Sequence, residues 1–359
     1  MPKIASVSTF APPNILSQES ATDLTRELFK EKFQDIERLL KVFQNGEIEK
    51  RHFSVPMEWF SMDHDFEERN RLYIELATMY GIAAINDCLH QNEFLKNSVP
   101  PSDIDAIFFI SSSGISTPSI DARIMNHLPF SDETRRIPIW GLGCAGGASG
   151  MSRAYDYCLA HPKAKVLVLC VELCSLTFQK EDYTKSNLVG ASLFSDGVAC
   201  ALVCGDEVEI ETSTRMPTIL STASKWMPDS EDVMGWDVKN SGLHVVFSRS
   251  IPSIIENWLG PFVHQFLERN GKTKEDILHF VAHPGGKKVL EAYETSLDFA
   301  ASMTDLSRKV LKEYGNMSSP TVLFVLKEFM KREPNAGEHG LMAALGPGFS
   351  GELLLLRWD

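Results

Sequence analysis

The sequence predicts an α/β fold made of two fused halves of similar plan that share one central site. Three observations predict it. Continuously apolar strand-like runs alternate with amphipathic helical stretches, as in sheets covered on both faces. The 359 residues are too many for one simple core. A spacing also repeats: Ser113 ends a strand with Cys144 opening a helix 31 residues on, and His283 ends a strand with Asn316 before a helix 33 residues on. The residue identities do not repeat, so the duplication is one of plan.

Residues 1–20 give a strand-like start and the loop Ala11-Pro-Pro-Asn14. Leu24, Leu28, Phe29, Phe33, Ile36, Leu39 and Leu40 predict helix over 21–44. Ile48 to Phe53 leads to an acidic, aromatic loop around Trp59 to Phe66, followed by a long helix over about 66–90. Ile104 to Ile110 reads as a buried strand ending in Ser111-Ser-Ser-Gly114. Arg136-Ile-Pro-Ile-Trp140 reads as a short strand entering the core.

The next stretch, Trp140-Gly-Leu-Gly-Cys-Ala-Gly-Gly-Ala-Ser-Gly150, organises the chain around it. Met151, Ala154, Tyr155, Cys158 and Leu159 then form one apolar helical stripe, so Cys144 sits on a Gly-flanked turn between strand and helix. Free N–H groups and the dipole at a helix start favour thiolate and can hold an oxyanion. The same turn would suit a buried structural cysteine, so partners elsewhere must decide.

Ala164 to Glu172 and Val198 to Val203 are further apolar strands. In the second half, Ile277 to Ala282 is a strand ending in His283-Pro-Gly-Gly286, with a helix from Lys287 to about Leu297. Tyr314 to Pro320 is a turn, with Ser319 as N-cap and Pro320 as first residue of a helix to about Lys331.

The net charge of −13 speaks against general nucleic-acid binding. Two local basic clusters could still meet an anionic small ligand or simply line solvated helix faces: Arg38, Lys41, Lys50 and Arg51, and Arg308, Lys309 and Lys312. Seven cysteines, an odd number mostly in apolar runs, point to reduced thiols and a cytoplasmic protein. The Cys170/Cys174 and Cys200/Cys204 pairs lack the turns of a zinc knuckle, so no metal is expected. No apolar run reaches the roughly 18 residues of a membrane span, and the first residues lack a signal-peptide pattern.

Cys144, His283 and Asn316 thus stand at three Gly-marked element ends. A histidine near a thiol can form a thiolate–imidazolium pair, and an uncharged Asn amide suits a developing enolate or oxyanion. In this order and setting the three point to acyl-transfer chemistry.

Here the sequence resembles the type III polyketide synthases, the chalcone-synthase-like family with the thiolase fold. The likeness covers nearly the whole chain. It is carried by Gly143-Cys144-Ala-Gly-Gly147, Leu188-Val-Gly190 with Leu193-Phe-Ser-Asp-Gly197, Ala282-His-Pro-Gly-Gly286, Glu313-Tyr-Gly-Asn-Met-Ser-Ser319 and Gly346-Pro-Gly348. Met234-Gly-Trp-Asp-Val238 resembles the bacterial branch.

The resemblance implies thiolase-like halves at 1–213 and 214–359, stacked in αβαβα layers, and a homodimer. It implies Cys144 as the nucleophile carrying the acyl chain, with His283 and Asn316 assisting malonyl decarboxylation. Phe194 matches the gatekeeper at the junction of the CoA tunnel and the cavity. Arg38 and Lys41 match CoA-binding positions, while the third such position is Asn45. Ser113, Thr117, Cys174, Thr177, Trp236, Val245, Ser318, Gly346, Pro347 and Gly348 match cavity positions. Val245, Cys174, Thr117 and Trp236 depart from the plant residues there.

Small residues at 113, 117 and 174 would open a tunnel for a long acyl tail, and Trp236 would limit extension. The implied reaction is decarboxylative condensation of malonyl-CoA onto a fatty acyl-CoA starter, giving tri- and tetraketide alkylpyrones and some alkylresorcinols. No cofactor is implied beyond the CoA thioester substrates. The rivals are a β-ketoacyl-carrier-protein synthase III, stopping after one condensation, and a catalytically silent acyl-CoA-binding scaffold.

Overall fold

A computed structural model describes residues 1–90 and 93–359. The first half carries strands β1 (Lys3–Phe10), β2 (Asn14–Ser17), β3 (Lys50–Phe53), β4 (Ala106–Ser111), β5 (Arg135–Trp140), β6 (Lys165–Leu173) and β7 (Asp196–Cys204). The second carries β8 (Pro217–Trp226), β9 (Met234–Lys239), β10 (Gly242–Phe247), β11 (Ile277–Ala282), β12 (His339–Gly346) and β13 (Ser350–Trp358). Nine of these form one sheet in the order β11-β12-β13-β8-β1-β7-β6-β4-β5. The halves of that sheet meet at a single register pair, Lys3 with Thr218.

Three hydrophobic cores follow from this. Helices Gly146–Ala160 and Thr321–Arg332 are packed between the two halves of the sheet, burying Met151, Ala154, Val322 and Leu326. The long helix Phe66–Leu89 covers the outer face of the first half. Helices Ile251–Arg269 and Lys287–Leu297 cover the outer face of the second. The layers are therefore helix, sheet, helix, sheet, helix: the thiolase-like arrangement.

Continuous apolar strands such as β6 and β7 are buried along nearly their whole length, as sheets covered on both faces require. Small residues let the central helix come close. A Cβ at Gly147 would lie 2.2 Å from the carbonyl oxygen of Ser319, so that crossing tolerates glycine alone. Among the described residues, no helix is long and apolar enough to cross a membrane.

Four expectations change. The helix over 21–44 is two helices, Gln18–Phe29 and Ile36–Gln44, with Arg26 clasping Glu37 at 2.7 Å across the break. The fold-back lets Gln18 donate to both Phe43 O and Ser192 O, which docks both helices beside the helix Lys185–Leu193. β5 does not enter the core. It is the sheet edge, its residues alternate between exposed and half-buried, and Trp140 is 52% exposed. Leu159 leaves the apolar stripe for solvent, near the end of its helix. The last central helix starts at Thr321, with Pro320 as cap, because the Ser319 hydroxyl is engaged by Glu172.

Candidate active site

The thiol stands where the sheet edge turns into the central helix. Cys144 lies in the one-turn segment Gly143–Ala145 and is half-buried. Gly143 takes φ +45° and donates its N–H to Ser112 Oγ at 3.0 Å, which anchors the turn to the end of β4. A Cβ at Gly346 would meet Leu142 O at 2.4 Å, so the Gly346-Pro-Gly348 segment packs directly under the turn. Pro347 lines the chamber beside Cys144.

The second half delivers the partners. His283 follows the last residue of β11, its N–H bonded to Ala343 O. Its ring is buried, and neither ring nitrogen has a hydrogen-bond partner. Asn316 Nδ2 donates to Gly285 O at 3.2 Å, joining its loop to the loop that carries His283. Its Oδ1 accepts from Ser318 N at 2.8 Å, which orients the amide. That amide is 3.9–4.0 Å from Cys144 Sγ, and Ser318 Oγ lies 3.7 Å from the same sulfur.

The electrostatics differ from the sequence expectation of a thiol eased into its charged form. Burial pushes the Cys144 thiol up to about 11, against smaller downward effects of Ser318 and Asn316. Burial likewise pushes His283 down to about 3. Each group taken alone prefers to be neutral.

One buried acid was missed in the sequence. Glu172 Oε2 accepts from Ser112 N at 3.0 Å and Oε1 from Ser319 Oγ at 2.9 Å. It therefore ties the Cys144 turn, through Ser112, to the Asn316 loop of the other half. Burial pushes its carboxyl up to about 7, against the bonds from Ser112, Ser113 and Ser319. Its signal was a carboxylate closing an otherwise apolar run.

Above the thiol lies a separate hairpin, β9 paired with β10 from Met234–Phe247 to Lys239–Gly242. Phe194 caps the helix Lys185–Leu193 and packs on Trp236 (5.8 Å) and Phe247 (5.6 Å). These three, with Val245 and Ser318, close the chamber over Cys144. Phe194 pairs in parallel with Asn316, so the phenyl ring and the amide sit on adjacent backbone segments. The hairpin is held by His244 Nδ1 to Asp182 at 2.9 Å and by Gln179 Nε2 donating to Leu243 O.

On the far side of Phe194 a small apolar cleft opens, lined by Leu24, Leu28, Phe60 and Phe178. Cys174, Thr177 and Val245 also face it. Ser113 does not: its hydroxyl accepts from Leu173 N, and it borders a small crevice with Thr177 and Leu243. Thr117 is exposed on the surface. The three small residues read as one tunnel are therefore not brought together. Gly348, at φ +65°, turns the chain beyond Pro347.

The basic clusters separate as well. Arg38 and Lys41 are exposed on the helix Ile36–Gln44, Arg38 paired with Asp35 at 2.6 Å. Arg51 is buried and is not part of that surface. In the second cluster Arg308 pairs with Glu47 and Glu294, Lys309 with Glu328 and Lys312 with Glu49. That patch is neutralised by its own neighbours.

Comparison with known proteins agrees with this geometry. The profile of chalcone and stilbene synthases, N-terminal domain, matches residues 3–207, and the C-terminal domain profile matches 218–358. A putative chalcone synthase of Bacillus subtilis (strain 168) is 49% identical over 359 residues, covering 99% of this chain and 98% of that protein. The 1,3,6,8-tetrahydroxynaphthalene synthase of Streptomyces peucetius subsp. caesius is 34% identical over 356 residues, covering 99% and 93%. The crystal structure of 1,3,6,8-tetrahydroxynaphthalene synthase from Streptomyces coelicolor A3(2), a bacterial type III polyketide synthase, superposes with a TM-score of 0.92 at 29% identity, covering 99% of each chain.

Proposed function

The chain belongs to the chalcone and stilbene synthase family, the acyl-transferring type III polyketide synthases, and from that premise we propose that it extends a long-chain fatty acyl-CoA with malonyl-CoA to alkylpyrones. In this reading Cys144 attacks the starter thioester, the thiol proton passes to His283, and CoA leaves as its thiol. Malonyl-CoA then loses CO₂, and the enolate oxygen is held by the Asn316 amide and His283. The enolate carbon attacks the acyl carbonyl on Cys144 and the thiolate leaves. The extended chain, now a CoA thioester, returns to Cys144 with release of CoA thiol, and repetition gives tri- and tetraketides, released by ring closure as pyrones and, with loss of the thioester carbon as CO₂, in part as resorcinols. The reaction needs no cofactor beyond its CoA thioesters.

The observation that carries the reading is a thiol under a hydrophobic roof, 3.9 Å from an oriented amide whose loop is joined to the one carrying an imidazole with two open nitrogens. The starter class is supported by the apolar cleft beside Phe194, because burying each methylene is worth about 0.8 kcal/mol. Trp236, against Phe194, supports few extensions. Arg38 and Lys41 are read as CoA phosphate contacts, on a helix docked beside the one that Phe194 caps.

A homodimer is part of the proposal: the open edge of β5, with Trp140 exposed, suits a second copy. Seven free cysteines, six of them buried, support a reducing compartment, the cytoplasm.

The test is incubation with malonyl-CoA and a series of acyl-CoAs, with mass spectrometry of Cys144 and of the products. Long-chain acylation and alkylpyrones are expected. Cys174→Phe, which fills the cleft, should lose long starters and keep short ones. An unacylated Cys144, or a wild-type preference for aromatic starters, would overturn the reading.

A further inference from the structure

Two walls of the catalytic chamber hang from one carboxylate. Asp182 stands just before the helix Lys185–Leu193, and its side chain is 8% exposed. Its Oδ1 accepts from Thr184 N at 2.9 Å, and Thr184 in turn caps the helix by accepting from Asn187 N. Its Oδ2 meets His244 Nδ1 at 2.9 Å on the hairpin. An ionised carboxylate only accepts, so Nδ1 carries the proton there, and Nε2 meets Ser241 Oγ at 2.8 Å. Burial raises the Asp182 carboxyl, but the bonds from His244 and Thr184 outweigh it and hold it below the usual carboxylate range. At neutral pH it is therefore ionised, and both of its bonds are charge-assisted.

Each bond leads to an aromatic wall. The helix that Thr184 opens is closed by Phe194. Successive strand residues point to opposite faces, so fixing His244 on the outer face sets Val245 on the chamber face, where it is paired with Trp236. Phe194 and Trp236 are the rings that meet at 5.8 Å beside Cys144. The segment carrying Asp182 is itself stiff. Asn187 Nδ2 donates to Gln179 O and Asp182 O, Lys180 reaches Asp63 at 2.8 Å, and the buried Arg69 donates to Leu176 O and Phe178 O. The hairpin pairs with no other strand, and besides His244 it is tied by Gln179 to Leu243 O and by Ser186 to Phe247 O. Of these ties, the one to Asp182 alone is made to a charged group.

We infer that Asp182 is a positioning residue that sets the spacing of Phe194 and Trp236 and, through those rings, the number of malonyl units added. Oδ1 fixes the helix behind Phe194, and Oδ2 fixes the strand pair that carries Trp236. A carboxylate suits the task because its two oxygens accept in two directions at once. Asp182 touches neither the substrate nor the reacting atoms and acts only through the two rings. Cutting the clasp frees Trp236 to swing from Phe194, and the chamber gains room for a longer chain. This deepens the proposed function and rests on its reading of Trp236 as the limit on extension.

Amide hydrogen exchange and product length, measured on the same variants, test this. In Asp182→Ala the amides of both 185–193 and 234–247 should exchange at least about tenfold faster, the effect of losing a bond to a charged group. Those of 144–150 should not change. His244→Ala keeps the Thr184 bond and should loosen 234–247 alone. Asp182→Asn, which can accept from Thr184 N and donate to the other tautomer of His244, should restore much of the protection. With any acyl-CoA that wild type extends, Asp182→Ala should lengthen the products by at least one malonyl unit. It should add nothing to Trp236→Ala, because it acts through that ring. Unchanged exchange in the hairpin, unchanged product length despite a loosened hairpin, or lengthening that adds in full to that of Trp236→Ala would each overturn the inference. Should Asp182→Ala fail to fold, His244→Ala carries the hairpin and product-length readouts. Unchanged length in Trp236→Ala would overturn the reading of the roof itself, and an error in the proposed starter leaves both readouts standing, so the failures are told apart.

Discussion

The floor of the catalytic chamber is sewn into both halves of the great sheet, whereas its roof is a two-stranded hairpin outside it. On the floor, the Cys144 turn hangs from β4 through Ser112, rests on Gly346 and is tied through Glu172 to the Asn316 loop. The roof strands pair only with each other, and side-chain bonds such as His244–Asp182 hold them down. Chemistry is thus fixed by elements that cannot move without disturbing the core. On the function proposed above, selection of chain length falls to an element that can be altered without disturbing the core.

The comparison breaks most sharply at the nucleophile. Cys144→Ala should abolish extension while leaving the thermal melt near wild type, since the change alters little volume. Full-length product at the wild-type rate from that variant would remove Cys144 from its role. Next comes the donor set: Asn316→Ala should slow malonyl-CoA decarboxylation about 10²–10³-fold, as loss of one oxyanion donor does. Radiolabelled CO₂ release measures it directly.

A floor variant remote from the chemistry should still be severe. Gly147→Ala sets a methyl against the Ser319 carbonyl, and such overpacking costs about 1–3 kcal/mol. A lowered melting temperature together with lowered kcat is expected. The coupling of thiol and imidazole sharpens the picture through pH. In His283→Ala, Cys144 keeps the burial that pushes its thiol up but loses the imidazole proposed to take its proton, so its alkylation by iodoacetamide should keep rising through pH 9–10. Wild type should react well at lower pH because there the thiol proton has a place to go. Superimposable alkylation profiles would mean that the two groups do not charge together.

The smallest effect belongs to the roof. Trp236→Ala should change stability by under about 1.5 kcal/mol, the low end for a half-buried side chain, yet lengthen the products by one or more malonyl units on mass spectrometry. An unchanged product distribution with a collapsed melt would invert the assignment of rigid floor and adjustable roof.

Much of the floor could be read in the chain because its signals are local. The helix expected over about 66–90 runs Phe66–Leu89, and the strand Ile277–Ala282 has its expected limits. Cys144, His283 and Asn316 each carry a Gly-marked turn that periodicity exposes. Glycine there answers to close approach, and close approach leaves a composition behind. What escaped depends on tertiary placement alone. Arg51 sits in a basic run, and nothing in the run distinguishes a buried guanidinium from its exposed neighbours Lys50 and Lys41. Arg308, Lys309 and Lys312 look like an anion site until Glu47, Glu294, Glu328 and Glu49 are brought alongside. Ser113 and Thr117 are small and near in sequence, but a turn sends one inward and the other to the surface. The edge position of β5 depends on which strands flank it, which an alternating pattern leaves open.

The place of β1 in the middle of the sheet bears on how the molecule comes to exist at all. This strand precedes all of its partners along the chain: those in β7 run from Val198 to Cys204, and its link to β8 is at Thr218. Until those segments are made, β1, half apolar and half polar in sequence, has neither edge covered. Closing a loop of that size is entropically unfavourable before any pairing rewards it, and topologies of high contact order fold slowly. The chamber is later still, since Asn316 and Gly346 follow these partners along the chain. The sheet that carries the catalytic chamber is therefore closed by pairings about 200 residues apart in sequence, and its centre cannot form until the second half is in place.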